Sequence, residues 1–194
     1  MICKFKHSAF TLIELILVVA IIAMLTGAMM PVIISARQKA RAAKFAQLLD
    51  VLTKACMLYY SDTGQYAGET TDGPVNNWAQ RRLSVVPPAG AIPGWDGPYI
   101  ERPLTSEDAI LGDRFIISNL MMGDFDLDGD GTIDKHDMTP GNSMDFWFLQ
   151  ESAAKALDET IDANIPGDWK NTGRLRFYDM WGLRGVIIYL TGGS

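Results

Sequence analysis

The sequence predicts an α+β fold: one very long N-terminal helix followed by a small head of antiparallel strands. Three observations lead there. Residues 15–34 form a run of twenty without a single charge. Helical periodicity then continues, now one-sided, to Tyr60. Beyond Gly64 the chain breaks into short strand-like runs separated by glycine- and proline-bearing turns, which suits antiparallel strands laid against a helix.

The uncharged run comes first. As a helix, twenty residues span about 30 Å, the thickness of a bilayer's hydrocarbon core. A soluble amphipathic helix would show a polar face every 3.6 residues, and this run shows none. The segment belongs in lipid or in an equally apolar bundle of its own copies. Glu14 lies only four residues into the wider apolar stretch that opens at Phe10. An ionised carboxylate at a membrane helix centre costs roughly 2.5–3.5 kcal/mol, so Glu14 is a functional candidate that needs a cationic partner. The preceding segment, MICKFKHSA, is short and basic and ends in small residues. An ordinary secretory signal would place its small-residue cleavage site after the apolar run. A plain signal anchor would match the length but leave the FTLIE start unexplained.

SAFTLIEL, followed by about twenty apolar residues with Pro31 inside, resembles the class III signal of type IV pilins and type II secretion pseudopilins. The resemblance implies a leader over 1–9, cleavage by prepilin peptidase between Ala9 and Phe10, and N-methylation of Phe10. It also implies that Glu14 pairs with the Phe10 amine of a neighbouring subunit, and that Pro31 is the family's helix-kinking proline. The family's usual residue before the cut is glycine, where this chain has Ala9. The fold it implies is pilin-like: a transmembrane-to-periplasmic helix packed on a small antiparallel sheet.

Net charge is −6, and loss of Lys4 and Lys6 with a leader takes it to −8. An acidic head argues against nucleic acid as a partner. Of the two cysteines, Cys3 would leave with the leader, so Cys56 has no intramolecular partner and reads as a buried, inert thiol. By charge count alone, Arg37, Lys39, Arg41 and Lys44 beyond the apolar run favour a cytoplasmic head. The resemblance, and the calcium-type loop described below, place the head outside the cytoplasm.

Over 35–64 the helix turns amphipathic. Phe45, Leu48, Leu49, Leu52, Ala55, Cys56 and Tyr59 recur at three- and four-residue steps and predict the face on which the head packs. The head occupies 65–194. After the helix, YYSDTGQYAGETTDG reads as loop, 78–86 as a short helix, and the proline-rich segment that follows as irregular. Tyr60-Ser-Asp-Thr-Gly-Gln-Tyr66 and Trp95-Asp-Gly-Pro-Tyr99 are similar to motifs of the major pseudopilin of type II secretion. Asp179-Met-Trp-Gly182 is similar to that family's later Asp-Pro-Trp-Gly turn. Here about eighty residues separate the two tryptophan motifs, which lie close together in the family. The family's own calcium loop lies beyond the second motif, and none of its ligands carries over. Within the insertion, 114–122 and 146–149 predict strands and 151–163 a helix. Residues 175–178 and 186–190 predict a strand pair joined by the DMWGLRG turn.

The chemistry lies in GDFDLDGDGTIDKHD, residues 123–137. Carboxylates at alternate positions with glycines between suit a calcium loop, in which a hard cation takes six to eight oxygens from a tightly turned chain. A register from Asp124 would put Lys135 where the twelfth-position acid belongs. A register from Asp126 gives ligands at Asp126, Asp128 and Asp130, glycine sixth at Gly131, the Thr132 carbonyl seventh, Asp134 ninth and Asp137 twelfth. Ile133, eighth, is expected to point into the core. In this register the loop resembles those of dockerin and thrombospondin repeats, and Pro140 and Gly141 exclude a long exiting helix. Magnesium suits it less, because it demands stricter octahedral geometry. A solvated acidic turn is the plainer alternative, at the cost of mutual carboxylate repulsion.

No catalytic pattern accompanies it. His7 lies in the leader and His136 in the loop, which leaves no Ser/His or Cys/His pair. Asp158, Glu159, Asp162 and Asp168 form a second acidic cluster, expected to be a solvated helix face. These readings converge on a non-enzymatic filament subunit that binds Ca²⁺, sits in the inner membrane by one pass, and carries its head in the periplasm or outside. Its expected partners are other copies or other pilin-like subunits, the inner-membrane assembly platform and prepilin peptidase. The expected machine is a type II secretion system. A type IV pilus, or a membrane-tethered calcium-dependent binding module, is the alternative.

Overall fold

The computed structural model describes residues 11–109, 114–180 and 183–192. Helix α1 runs Leu12–Thr63 with Pro31 inside it. It is followed by β1 (Glu69–Thr70), a 3₁₀ turn at Ser106–Asp108, β2 (Arg114–Leu120), β3 (Pro140–Trp147), α2 (Glu151–Ile161), β4 (Leu175–Met180) and β5 (Leu183–Gly192). The chain divides into two compact units, Met1–Gln38 and Lys39–Ser194.

The first unit is the apolar part of α1. Its large side chains from Leu12 to Ile34 are all exposed, as an isolated greasy helix requires. Among the described residues α1 is the one helix long and apolar enough to cross a membrane. At its start the Thr11 N–H and hydroxyl both donate to Glu14 Oε2 at 2.8 Å. Glu14 thus satisfies donors that an open helix N-terminus would leave free.

The second unit is the head with the remainder of α1. Its five strands form one antiparallel sheet in the order β1-β2-β3-β5-β4. The buried face of α1 comprises Ala42, Phe45, Leu49, Leu52, Ala55, Cys56 and Tyr59, the expected stripe with Ala42 added and Leu48 only half-buried. It packs into one core with Phe115 and Ile117 of β2, Met144 and Phe146 of β3, and Val186 and Ile188 of β5. The Phe45 and Phe146 rings meet edge-on at 4.8 Å, a geometry that aromatic quadrupoles favour. Cys56 is buried, and desolvation pushes its thiol pKa up, so the inert reading stands.

Four local expectations need correction. Residues 78–86 form turns rather than a helix. Arg81, fully buried, bridges to Glu69 and donates to four backbone carbonyls, those of Asp72, Gly73, Pro74 and Leu104. A helix there would turn this guanidinium away from the carbonyls it satisfies. Residues 69–70, read as loop, pair with β2 as the edge strand β1. Strand β3 begins at Pro140, six residues before the expected start, because proline is tolerated at a strand's first position. Ile133 is 39% exposed and does not enter the core.

The WDGPY motif clamps the end of α1. Tyr99 Oη donates to Asp62 Oδ2 at 2.9 Å and accepts from the Asp96 N–H. Its ring lies edge-on to Tyr59 and to Trp95, whose indole N–H donates to the Arg82 carbonyl. Asp179 pairs with Arg184 across the β4–β5 turn at 2.8 Å. Trp181 and Gly182 of that turn fall outside the described residues.

Candidate metal loop and assembly motif

The loop at 124–137 is held at its neck by a short backbone ladder. Phe125 N–H donates to the Lys135 carbonyl, and the N–H groups of Asp134 and Lys135 donate back to the Phe125 carbonyl. Phe125 is fully buried and its ring lies 5.9 Å from that of Tyr189. It anchors the loop in the role expected of Ile133. Its signal was readable, as an apolar residue immediately before the first candidate ligand.

Inside the neck the chain turns on its own carboxylates. Asp126 accepts from the N–H of Gly129 through Oδ1 and from that of Gly131 through Oδ2. Asp128 Oδ1 accepts from Asp130 N–H, and Asp130 Oδ1 accepts from both the backbone N–H and the hydroxyl of Thr132. These bonds hold the Asp130 pKa below the usual carboxylate range. Gly131 has φ +90°, the left-handed conformation that the sixth position of such a turn requires. Gly129 also has positive φ, and a Cβ there would clash with the Pro166 carbonyl oxygen.

Carboxylate oxygens of Asp126, Asp128 and Asp130 lie within 4.8 Å of one another, the spacing at which one cation can touch all three. An ionised carboxylate has about four lone-pair sites, so each can keep its N–H bond and still offer an oxygen to an ion. The donor set is hard oxygen throughout, which fits Ca²⁺. The other expected ligands stand differently. Asp134 Oδ2 accepts from Leu127 N–H at 2.8 Å, across the loop entrance. Asp137 Oδ1 accepts from Gly123 N–H, while Asp137 N–H donates to Asp124 Oδ1. Neither Asp134 nor Asp137 joins the converging three. The neck bonds occupy one oxygen of each.

The second acidic cluster is a solvated face only in part: Glu159 and Asp168 are exposed, as expected, and the other two are not. Asp158 in the last turn of α2 and Asp162 at its C-cap are buried, and a cavity of about 300 Å³ opens beside them, lined also by Lys155, Glu159, Trp169 and Thr172. Burial pushes the Asp158 pKa up to about 6, helped by the neighbouring charges of Asp162, Glu159 and Asp168 and opposed by Lys155. Asp162 is likewise raised by burial, and its Oδ2 accepts from Leu175 N–H at 3.0 Å. Sequence spacing could not separate burial from exposure here, because the rest of the cavity wall, Ile165, Gly167, Trp169 and Thr172, lies beyond the helix.

Comparison with known proteins bears on the N-terminus. Residues 4–30 match the family described as the prokaryotic N-terminal methylation motif. That motif defines a type IV pilin-like substrate of prepilin peptidase, a class of membrane-anchored, single-pass proteins that assemble into filaments. The match covers the N-terminal stretch and indicates a substrate of this kind; the long apolar helix and antiparallel sheet are consistent with the pilin-like fold. No curated protein and no solved structure matches it. The expected cleavage point, Ala9 and Phe10, lies outside the described residues. Of the assembly residues, Glu14 is placed in the first turn of α1.

Proposed function

We propose that this chain is a non-enzymatic structural subunit of an extracytoplasmic filament, a pseudopilin of a type II secretion system, with a calcium-stabilised head. One observation carries the reading: a methylation motif at 4–30 overlaps a helix whose large apolar side chains from Leu12 to Ile34 are left exposed by the described residues. Such a surface requires lipid before assembly and neighbouring copies after it. Choice of the secretion machine over the pilus rests on the Trp95–Tyr99 clamp, a motif similar to that of the major pseudopilin, here fastened to the end of α1. Calcium enters through Asp126, Asp128 and Asp130, with Thr132, Asp134 and Asp137 as the remaining expected ligands. The partners are other pilin-like subunits, the inner-membrane assembly platform and prepilin peptidase, and the head lies in the periplasm or beyond.

The experiment is an intact mass of the protein purified from membranes of cells with active prepilin peptidase. A chain beginning at N-methylated Phe10 is expected, and a chain still beginning at Met1 overturns the reading. Purification with the assembly platform and secretin of a secretion system, in place of a pilus retraction motor, is the expected outcome for the finer assignment.

A further inference from the structure

We propose that the cavity at the C-terminal end of α2 is a second divalent-cation site, with Asp158 as its buried ligand and Glu159 and Asp162 supplying further negative charge. The inference is independent of the filament reading.

Asp158 carries it. The residue is only 9% exposed, lines the cavity, and has an Oδ1 with no hydrogen-bond partner in the protein. A buried carboxylate oxygen without a partner is among the costlier groups a fold can hold, so it calls for a missing positive or donating group. The surroundings ask for a cation in particular. Glu159 and Asp162 line the same cavity, Asp168 lies near enough to act on Asp158, and Lys155 is the opposing cation among the lining residues. Asp158 and Glu159 stand in the last turn of a helix that has no basic residue there, and Asp162 is its C-cap. The helix macrodipole places negative potential at that end, which favours a cation and penalises further carboxylates.

The size and spacing indicate how the ion is held. A cavity of about 300 Å³ has room for several waters at about 30 Å³ each. The three carboxylates here do not converge as Asp126, Asp128 and Asp130 do. The arrangement therefore suits an ion that keeps part of its water, bound directly by one carboxylate and through water by the others, as magnesium and weakly held calcium are. Trp169 forms part of the wall, which gives the site an optical reporter.

The test uses the full chain in detergent micelles, with Ca²⁺ for stoichiometry and Tb³⁺ as a luminescent substitute excited through tryptophan. Asp158→Asn is expected to remove one bound equivalent and the tryptophan-sensitised Tb³⁺ signal. The paired loop variant Asp128→Ala/Asp130→Ala is expected to keep that signal. Trp169→Phe, which leaves every carboxylate in place, is expected to lose the signal while retaining the bound equivalent. Lys155→Gln should tighten binding about two- to fivefold, the scale of one partly screened charge. Unchanged stoichiometry and signal in Asp158→Asn, or an undiminished signal in Trp169→Phe, would overturn the site.

Discussion

The backbone N–H of Gly173 donates to the carbonyl oxygen of Asp126 at 2.7 Å. This one bond ties the first residue of the metal loop to the segment that walls the acidic cavity of α2. Two neighbours reinforce it: Asp126 bridges Thr172, and Gly129 lies against the Pro166 carbonyl. Two residues on, Leu175 N–H donates to Asp162. Residues 166–175 thus serve both acidic centres, so order imposed on the loop extends to the cavity.

Calcium should stabilise the head through the loop. An ion bound only by the folded state adds RT ln(1 + [L]/Kd), about 2.7 kcal/mol at a hundredfold excess over Kd. Loops of extracellular modules bind at roughly 10⁻⁴–10⁻³ M, within reach of calcium levels outside the cytoplasm. Thermal melts of the full chain in detergent should shift upward with millimolar Ca²⁺ relative to chelator. Asp130→Ala should lose most of that shift. An equal shift in the variant would exclude the loop as the source.

Glu69 should make the head less stable as pH rises toward neutrality. Its side chain is buried, accepts from Leu83 N–H and the Ser84 hydroxyl, and stands 3.8 Å from Arg81. Desolvation outweighs these partners and raises its pKa from 4.5 to about 7. The folded state therefore holds a proton that the unfolded state releases between those values, and stability falls as pH rises across that window. Glu69→Gln should flatten the decline between about pH 5 and 7. Denaturant midpoints measured across that range decide the matter, and a slope identical to wild type would remove Glu69 as the cause.

The clamp on α1 separates a hydrogen bond from packing. Tyr99→Phe removes the hydroxyl between Asp62 and Asp96, both exposed, so about 1 kcal/mol is the expected loss. Tyr99→Ala also removes the ring contacts to Tyr59 and Trp95, and about 3–5 kcal/mol is expected. Denaturant unfolding of the two variants side by side checks the ratio. Equal losses would mean that the hydroxyl, not the ring, holds the clamp.

Elements with strong periodicity were legible in the residues alone. The α1 stripe from Phe45 to Tyr59, the α2 helix and the β4–β5 pair each follow from local spacing, and each was found within a few residues of its expected bounds. What escaped depends on distant partners. Strand β1 is two residues long and exists only because Ile116 and Ile117 lie opposite it. Residues 78–86 look helical until Arg81 is seen to need carbonyls from 72–74 and from Leu104. At the loop, alternation of aspartates and glycines identified the three converging carboxylates. The roles of Asp134 and Asp137 depend on backbone donors at Leu127 and Gly123 that no spacing rule anticipates. The cavity beside Asp158 is completed by Ile165, Gly167, Trp169 and Thr172, outside α2, and was invisible for the same reason.

Glu14 should govern assembly and leave membrane residence intact. Among the described residues its carboxylate is engaged by Thr11, at the exposed start of α1. Two local hydrogen bonds compensate a charge only in part once it lies in hydrocarbon. The motif class supplies the remaining partner, the N-terminal amine of a neighbouring processed subunit, and that pairing is available only in the filament. Glu14→Ala makes the helix more apolar, so insertion should persist or strengthen. It also removes the acceptor of the Thr11 N–H and hydroxyl, a local loss borne at a helix end and not in the head. Filament incorporation should therefore drop severalfold while the membrane-fraction level and the head's melting temperature stay at wild type. Glu14→Gln discriminates further: it can still accept from Thr11 but carries no charge for the amine, so it should assemble as poorly as Glu14→Ala. Cross-linking yield between subunits, normalised to membrane content, measures all three proteins. Wild-type yield from Glu14→Gln would show that capping, not charge pairing, is what Glu14 contributes.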